Sequence, residues 1–166
     1  MKIVDIYVKK TNKKYKTNYG VPFQCVELIR RVFSTVMNVS FPDVVDAVDF
    51  FNNINFLSNS RINVKLDTFS YPYTHNYLYY LKPGSILFWK YKKPNFPYGH
   101  VALVLDSNEK ETIVIQQNLN PPVKIYDTKD LFQKMNCPDS KFLGIKTLPM
   151  RFASGFRDVD YNVVKV

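Results

Sequence analysis

The sequence predicts an α+β domain in which helices come first along the chain and a mostly antiparallel sheet follows. Between residues 24 and 53, apolar residues recur at spacings of three and four, which is the period of an amphipathic helix. After Pro83-Gly84, short runs of β-branched and aromatic residues alternate with polar turns, a pattern typical of strands. The length of 166 residues is that of one domain with its own hydrophobic core.

Two helices are predicted in the first third of the chain. The first covers residues 24–37, with apolar side chains on one face and polar side chains on the other. Its apolar face consists of Val26, Ile29, Val32, Phe33 and Val36, and its polar face of Glu27, Arg30, Arg31 and Ser34. The second helix begins at Asp43 and carries acidic residues in its first turn, where the helix dipole favours them.

Five strands are predicted in the second half of the chain. They cover residues 85–91, 99–106, 112–117, 123–126 and 142–148. The short polar segment 107–110 predicts a hairpin, whereas residues 52–82 are expected to be mostly loop with one short strand at 62–66. In this interpretation residues 1–166 form a single domain, with its core at 15–147, a basic N-terminal arm at 1–14 and a C-terminal extension at 150–166.

The charge balance is strongly basic. There are 23 Lys and Arg residues against 14 Asp and Glu residues, which gives a formal net charge of +9. Such a balance favours an anionic partner, but the joint abundance of Lys, Asn, Tyr, Phe and Ile is also what an AT-rich genome produces by codon bias, which is the alternative explanation. The lysines are scattered, however, and the aromatic residues follow core-like patterns instead of alternating with a basic run, so a nucleic-acid partner is not expected.

Metal-binding and membrane patterns are absent from the sequence. The two cysteines and two histidines lack the regular spacing of a zinc site, so we expect no metal and no other cofactor. No apolar run approaches the ~20 residues that span a bilayer. Residues 1–14 lack the apolar core of a signal peptide, and the expected location is the cytoplasm or a virus particle.

Cys25 stands at the start of the first predicted helix, which is a position suited to a nucleophile. Unpaired backbone N–H groups and the positive end of the helix dipole stabilise a thiolate there and lower the pKa of the thiol. The backbone N–H of Cys25 and the side-chain amide of Gln24 are placed to donate to one developing oxyanion. The alternative is that Cys25 is a small buried hydrophobe, as free cysteines often are.

A nucleophilic thiol needs a base, and His100 is the better placed of the two histidines. His75 lies in a polar loop and is expected on the surface. His100 begins a predicted strand after a glycine, a partly open position from which its imidazole can take a proton from a thiol on a neighbouring helix.

A third polar group is expected to orient the imidazole. If the hairpin turns about Asn108, His100 lies directly across from Gln116, whose Oε1 can accept a hydrogen bond from the ring. A shift of one residue pairs His100 with Gln117 instead. Asn118 shares a face with Gln116 and is a further candidate.

Three segments of the sequence together resemble the CHAP family of cysteine amidohydrolases and peptidases. The segments are FQCVELIRR at 23–31, PGSIL at 83–87 followed by GHVA at 99–102, and IQQN at 115–118. Within that family they are most similar to the amidase domains of glutathionylspermidine synthetase/amidase and trypanothione synthetase. The resemblance covers roughly residues 15–147.

The resemblance implies a papain-like CHAP fold, in which an N-terminal catalytic helix packs on a mostly antiparallel sheet. It implies that Cys25 is the nucleophile, His100 the general base and acid, and Gln24 the oxyanion donor. Gln116 matches the third catalytic position, where the subfamily usually has a carboxylate, so reduced activity is expected. Ser85 also departs from the pattern, because aspartate usually follows Pro-Gly.

The predicted function is therefore cysteine-dependent hydrolysis of an amide bond through a thioester intermediate. Candidate substrates are a glutathionyl or γ-glutamyl amide and a cell-wall peptide, so the expected partner is a small peptide or an anionic wall polymer. Substrate binding is assigned to Arg30, Gln117 and Asn118, although an ion pair with Glu27 is the alternative role for Arg30. The alternative function is a weak or inactive papain-like module with a structural or binding role, for example in a virus particle.

Overall fold

The computed structural model describes residues 2–8, 25–72, 77–92, 99–117, 121–131 and 140–165. Within these residues three α-helices are present: α1 (Cys25–Met37), α2 (Ala47–Asn53) and α3 (Ala153–Arg157). The first strands are β1 (Lys2–Val8), β2 (Phe56–Ser58), β3 (Asn63–Lys65), β4 (Asp67–Ser70) and β5 (Ile86–Tyr91). The later strands are β6 (Gly99–Ser107), β7 (Glu111–Ile115), β8 (Val123–Asp127), β9 (Ser140–Thr147) and β10 (Val159–Lys165).

A six-stranded antiparallel sheet forms the centre of the fold. Its strand order is β4-β9-β5-β6-β7-β8, and every neighbouring pair is antiparallel. This sheet and the helices confirm the predicted α+β class. The five strands predicted after Pro83 are all observed, with ends within two residues of their predicted bounds. None of the helices in the described part of the chain is long and apolar enough to cross a membrane.

Helix α1 packs one apolar face against the sheet. Leu28, Ile29, Val32 and Phe33 are fully buried there, together with Val101 and Leu103 of β6. Burying each such side chain contributes about 1.5–3 kcal/mol, which is sufficient to hold a helix of this length in place. A smaller apolar cluster, which includes Trp89 and Phe142, covers the opposite face of the sheet.

The second helix starts later than predicted. It begins at Ala47 and not at Asp43, because Asp46 adopts an extended conformation and its side chain accepts a hydrogen bond of 2.8 Å from the backbone N–H of Asp49. Asp46 is therefore the N-cap, and a capping interaction of this kind fixes where a helix begins.

Residues 52–82 contain more strand than predicted. β2 and β3 pair with each other, and β4 adds an edge to the large sheet. Each of these strands has only three or four residues and one buried apolar side chain, which is Leu57, Val64 or Phe69. The short strand predicted at 62–66 is confirmed as β3, whereas β2 and β4 were expected to be loop, because a strand that buries a single residue shows little alternation along the sequence.

The two ends of the described chain form a parallel pair of strands, which we call the terminal ribbon (Lys2–Val8 with Val159–Lys165). The prediction of a basic N-terminal arm was therefore wrong for residues 2–8, whose Val4 and Ile6 enter the core. The C-terminal extension is likewise folded, since residues 150–165 form a 3₁₀ turn, α3 and β10. Residues 9–14 lie outside the described part of the chain.

Candidate active site

The thiol of Cys25 lies against the first residue of β6. Its Sγ is 3.9 Å from the carbonyl oxygen of Gly99. A Cβ added to Gly99 would come within 2.2 Å of the Trp89 carbonyl oxygen and 3.1 Å of the Ala47 side chain. Only glycine fits at this position, and the beginning of α1 can therefore approach the beginning of β6 closely.

His100 is the next residue of β6 after Gly99, the residue that contacts the thiol. Its ring packs against Trp89, its partner across β5 and β6, with 5.5 Å between the ring centroids. Its Nε2 is 3.1 Å from Oε1 of Gln116. The side chain is nearly buried, with 7% of its surface exposed.

The orientation of the Gln116 amide determines which nitrogen of the His100 ring carries the hydrogen. Its Nε2 is 3.0 Å from the carbonyl oxygen of Pro121, which can only accept a hydrogen bond. The amide nitrogen must therefore face Pro121, and Oε1 must face the imidazole. Nε2 of His100 then carries the hydrogen, which leaves Nδ1 with the free lone pair; this tautomer is assigned from the hydrogen-bond network.

His100 and Gln116 meet in a different register from the predicted one. Ser107 pairs with Thr112 at the turn, and a bulge after Val104 brings Leu103 opposite Ile115. Continuing this register places Gln116 across from Ala102, so His100 is its diagonal neighbour and not its direct partner. The contact forms because a long side chain can reach a diagonal neighbour on the same face of a sheet.

Burial controls the electrostatics of the pair. Burial raises the pKa of the Cys25 thiol, although hydrogen bonds with the backbone of Val101 and Val26 oppose the rise. Burial also lowers the pKa of His100 to about 4, against the opposing effect of the hydrogen bond with Gln116. The resting pair is therefore a neutral thiol and a neutral imidazole. The expectation that the helix start lowers the thiol pKa was wrong, because loss of solvent outweighs the backbone donors.

Arg30 holds a neighbouring loop in place. Its Nη1 donates to Oγ of Ser40 at 3.0 Å and to the Phe41 carbonyl oxygen, and its guanidinium lies 4.0 Å from the centre of the Phe41 ring. It also forms an ion pair with the exposed Asp43 at 3.7 Å. The ion pair between Arg30 and Glu27 that was the alternative prediction is not observed, because Glu27 pairs with Arg31 instead.

Gln117 lies away from any surface that a substrate can reach in this conformation. Its side chain is 0% exposed and its amide nitrogen donates to Oε2 of Glu27 at 3.0 Å. The prediction that Gln117 binds substrate is therefore not supported. Gln24, His75, Asn118 and Cys137 lie outside the described residues.

Sequence reasoning missed the buried polar groups of α1. Glu27 and Arg31 were assigned to a solvent-facing side of the helix, yet they are 3% and 8% exposed. Their spacing of four residues is a signal for an ion pair, but it does not distinguish a buried pair from an exposed one. Among the described residues, no group of three His, Cys, Asp or Glu side chains is arranged to hold a metal ion.

Comparison with known proteins places the chain in a class. The CHAP domain matches residues 14–118, a segment that includes Cys25, His100 and Gln116. CHAP domains are papain-like cysteine amidases and peptidases. Because the match covers more than half of the sequence, the chain belongs to the CHAP domain family. No curated protein shows significant sequence similarity to the chain.

Proposed function

We propose that this protein hydrolyses an amide bond, with Cys25 as the nucleophile and His100 as the general base. The observation that carries the proposal is the fixed pair of His100 and Gln116, 3.1 Å apart, directly beside the residue that contacts the thiol. Gln116 is in turn fixed by Pro121 at 3.0 Å. This arrangement supplies a base whose free nitrogen is defined before the substrate arrives.

In the proposed mechanism the proton moves during the attack and not before it. Nδ1 of His100 takes the proton of the Cys25 thiol as Sγ attacks the carbonyl carbon. His100 then returns the proton to the leaving amine, and a water molecule attacks the thioester with His100 again acting as base. Gln116 keeps the His100 ring in the tautomer that these proton transfers require.

The tetrahedral intermediate needs donors for its oxyanion. We assign that role to the backbone N–H of Cys25 and to Gln24, as the family resemblance implies. Donors that are already in position can lower the barrier of such a reaction by about 3–4 kcal/mol. This contribution is especially valuable here, because a neutral amide at position 116 stabilises an imidazolium less than a carboxylate does.

The substrate class follows from the family and from the net charge. A glutathionyl or γ-glutamyl amide, or a peptide of a cell-wall polymer, presents carboxylates that a chain of net charge +9 attracts at long range. Arg30 is engaged with the loop at residues 40–43, so we do not assign it the substrate carboxylate.

The test is acylation of the thiol by an activated ester. Wild-type protein is mixed with p-nitrophenyl acetate, and the burst of nitrophenolate is measured together with the mass of the acylated protein. We expect one acetyl group on Cys25, placed by peptide mapping, with Cys137 as the internal comparison. Cys25→Ala removes the acetyl group, and His100→Gln slows its formation by a factor of 10²–10⁴, the usual contribution of a general base.

A structural control separates loss of the base from loss of the fold. Thr128→Val removes a buried hydroxyl that donates to the Asn108 carbonyl oxygen at 2.8 Å, near the hairpin end of β7. It should lower the melting temperature without slowing acylation. If Cys25 is acylated no faster than Cys137, or equally fast in His100→Gln, the proposed function is refuted.

One observation favours a second function, that of an inactive module with a structural or binding role. Burial raises the pKa of Cys25 and lowers that of His100, which disfavours a thiolate–imidazolium pair. A module that only binds has no need of an activated thiol. The acylation experiment decides between the two functions, because the inactive module predicts no burst.

A further inference from the structure

A buried polar cluster connects α1 to the segment that follows β7. We call Glu27, Arg31 and Gln117 the bridging cluster. Their exposed fractions are 3%, 8% and 0%. Arg31 Nε donates to Oε1 of Glu27 at 2.9 Å, Gln117 Nε2 donates to Oε2 of Glu27 at 3.0 Å, and Arg31 Nη2 donates to Oε1 of Gln117. Each member is therefore bonded to both of the others.

The bridging cluster also holds the terminal ribbon. Arg31 Nη1 donates to the Asp5 carbonyl oxygen, and the backbone N–H of Tyr7 lies 3.4 Å from Oε1 of Gln117. The guanidinium of Arg31 lies 4.9 Å from the centre of the Tyr7 ring. Strand β1 lies outside residues 14–118, the part that matches the CHAP domain. The contacts therefore join a strand beyond the matched segment to the interior of that segment.

Both ends of the bridging cluster adjoin the proposed reacting groups. Glu27 is two residues after Cys25 on α1, and Gln117 directly follows Gln116. We propose that Gln117 is a positioning residue: held by Glu27, Arg31 and β1, it fixes Gln116 against His100. The terminal ribbon is then a part of the site. The effect on reaction rate rests on the proposed function, whereas the effect on the imidazole tautomer does not.

The physical basis is the cost of unpaired polar groups in the interior. When one member of a buried network is removed, the others lose partners that water cannot replace, and the backbone moves to recover them. The residue next to Gln117 in the chain is Gln116, so such a movement changes the 3.1 Å contact with His100 first.

The experiment measures the tautomer of His100 by long-range ¹H–¹⁵N NMR spectroscopy. The chain has two histidines, so His75→Gln assigns the spectrum. Wild-type protein should show the single tautomer with the hydrogen on Nε2. In Gln117→Met, which is similar in size but makes none of the hydrogen bonds, we expect both tautomers and acylation of Cys25 that is about tenfold slower.

Two further variants control for the fold. Thr128→Val also removes a buried hydrogen bond from β7 and its surroundings, but at the opposite end of the strand, and it should leave the tautomer unchanged. Gln117→Glu places two carboxylates side by side and should disturb the site. The double variant Glu27→Gln/Gln117→Glu exchanges amide and carboxylate, keeps the charge, and should restore the single tautomer.

The outcomes separate this proposal from the proposed function. A single tautomer in Gln117→Met, or mixed tautomers in wild-type protein, overturns the positioning role. If Gln117→Met does not fold, the comparison of Gln117→Glu with the double variant decides, and a double variant that folds without regaining the single tautomer also overturns it. Absence of acylation in wild-type protein refutes only the enzymatic function, because the tautomer measurement needs no activity.

Discussion

Replacing Gln116 by glutamate exchanges the side-chain amide nitrogen for an oxygen, and the effect of this change on the pKa of His100 can be calculated. The Gln116 Oε1 that accepts from His100 at 3.1 Å would become part of a carboxylate. The anion would stabilise the protonated imidazole, so the pKa of His100, which burial holds at about 4, should rise. The thiolate–imidazolium pair would become more favourable for the same reason.

The size of the rise in the pKa of His100 depends on the attraction between the two charges and on the cost of placing a carboxylate at position 116. Opposite charges whose centres are about 4 Å apart attract by about 4 kcal/mol at an effective dielectric constant of ~20, equivalent to about 3 pKa units. A carboxylate at position 116 would be nearly buried and would face the Pro121 carbonyl oxygen in place of the donor now there at 3.0 Å. The burial of the carboxylate and its contact with the Pro121 carbonyl oxygen both reduce the rise in pKa. We therefore expect a net rise of about 2 units, to a pKa of about 6 for His100.

The assay is an NMR titration of the His100 ring protons in wild-type protein, Gln116→Glu and Gln116→Met. The methionine variant is the matched control, because it removes the acceptor without adding charge and should lower the pKa of His100. Alkylation of Cys25 by iodoacetamide at pH 6 should be faster in Gln116→Glu than in wild-type protein. A change of less than about half a unit in Gln116→Glu refutes the contact between His100 and residue 116.

Three further predictions follow from the buried titratable groups. With a pKa of about 4, His100 is about 97% free base at pH 5.5, against about 9% for an ordinary histidine, so acylation of Cys25 at pH 5.5 should stay near its rate at pH 7. Burial lowers the pKa of Lys146 from 10.5 to about 8, so between pH 8 and 10.5 the unfolded state binds more protons than the folded state. The free energy of unfolding, measured in urea, should therefore rise from pH 8 to 10.5. Lys146→Met should flatten that rise. Lys82 is buried, and its Nζ has no hydrogen-bond partner among the described residues, so Lys82→Met should raise the free energy of unfolding by about 1 kcal/mol; a lower melting temperature would contradict this.

The elements that the sequence predicts well are those whose pattern repeats within a short segment. Helix α1 places five apolar side chains in the core at helical spacing, and β6 contains a continuous apolar run from Val101 to Leu105. The pairing of Lys2 with Val159 leaves no such pattern, because the two strands of the terminal ribbon lie at opposite ends of the chain. Its folded position could be learned only from the three-dimensional structure.

The candidate site likewise has features that the sequence predicts and features that it does not. The proximity of His100 and Gln116 is predictable, since it depends on two strands joined by a short turn. The bulge after Val104 is not, because a single extra residue has no sequence pattern of its own. The burial of Glu27 and Arg31 depends on Gln117 and on a strand from the N terminus, so the local polarity of α1 suggested solvent where the structure has a closed network.

The amide of Gln116 suits a buried neutral imidazole better than a carboxylate does. An amide satisfies two neighbours of opposite character, since Oε1 accepts from His100 while Nε2 donates to the Pro121 carbonyl oxygen. A carboxylate could satisfy only the first and would pay the cost of leaving water. The amide therefore fixes the tautomer and raises the basicity of the ring less than a carboxylate would. In the proposed mechanism, proton transfer from Cys25 is then driven by the attack itself, and the proposed oxyanion donors provide stabilisation that a carboxylate at position 116 would otherwise contribute.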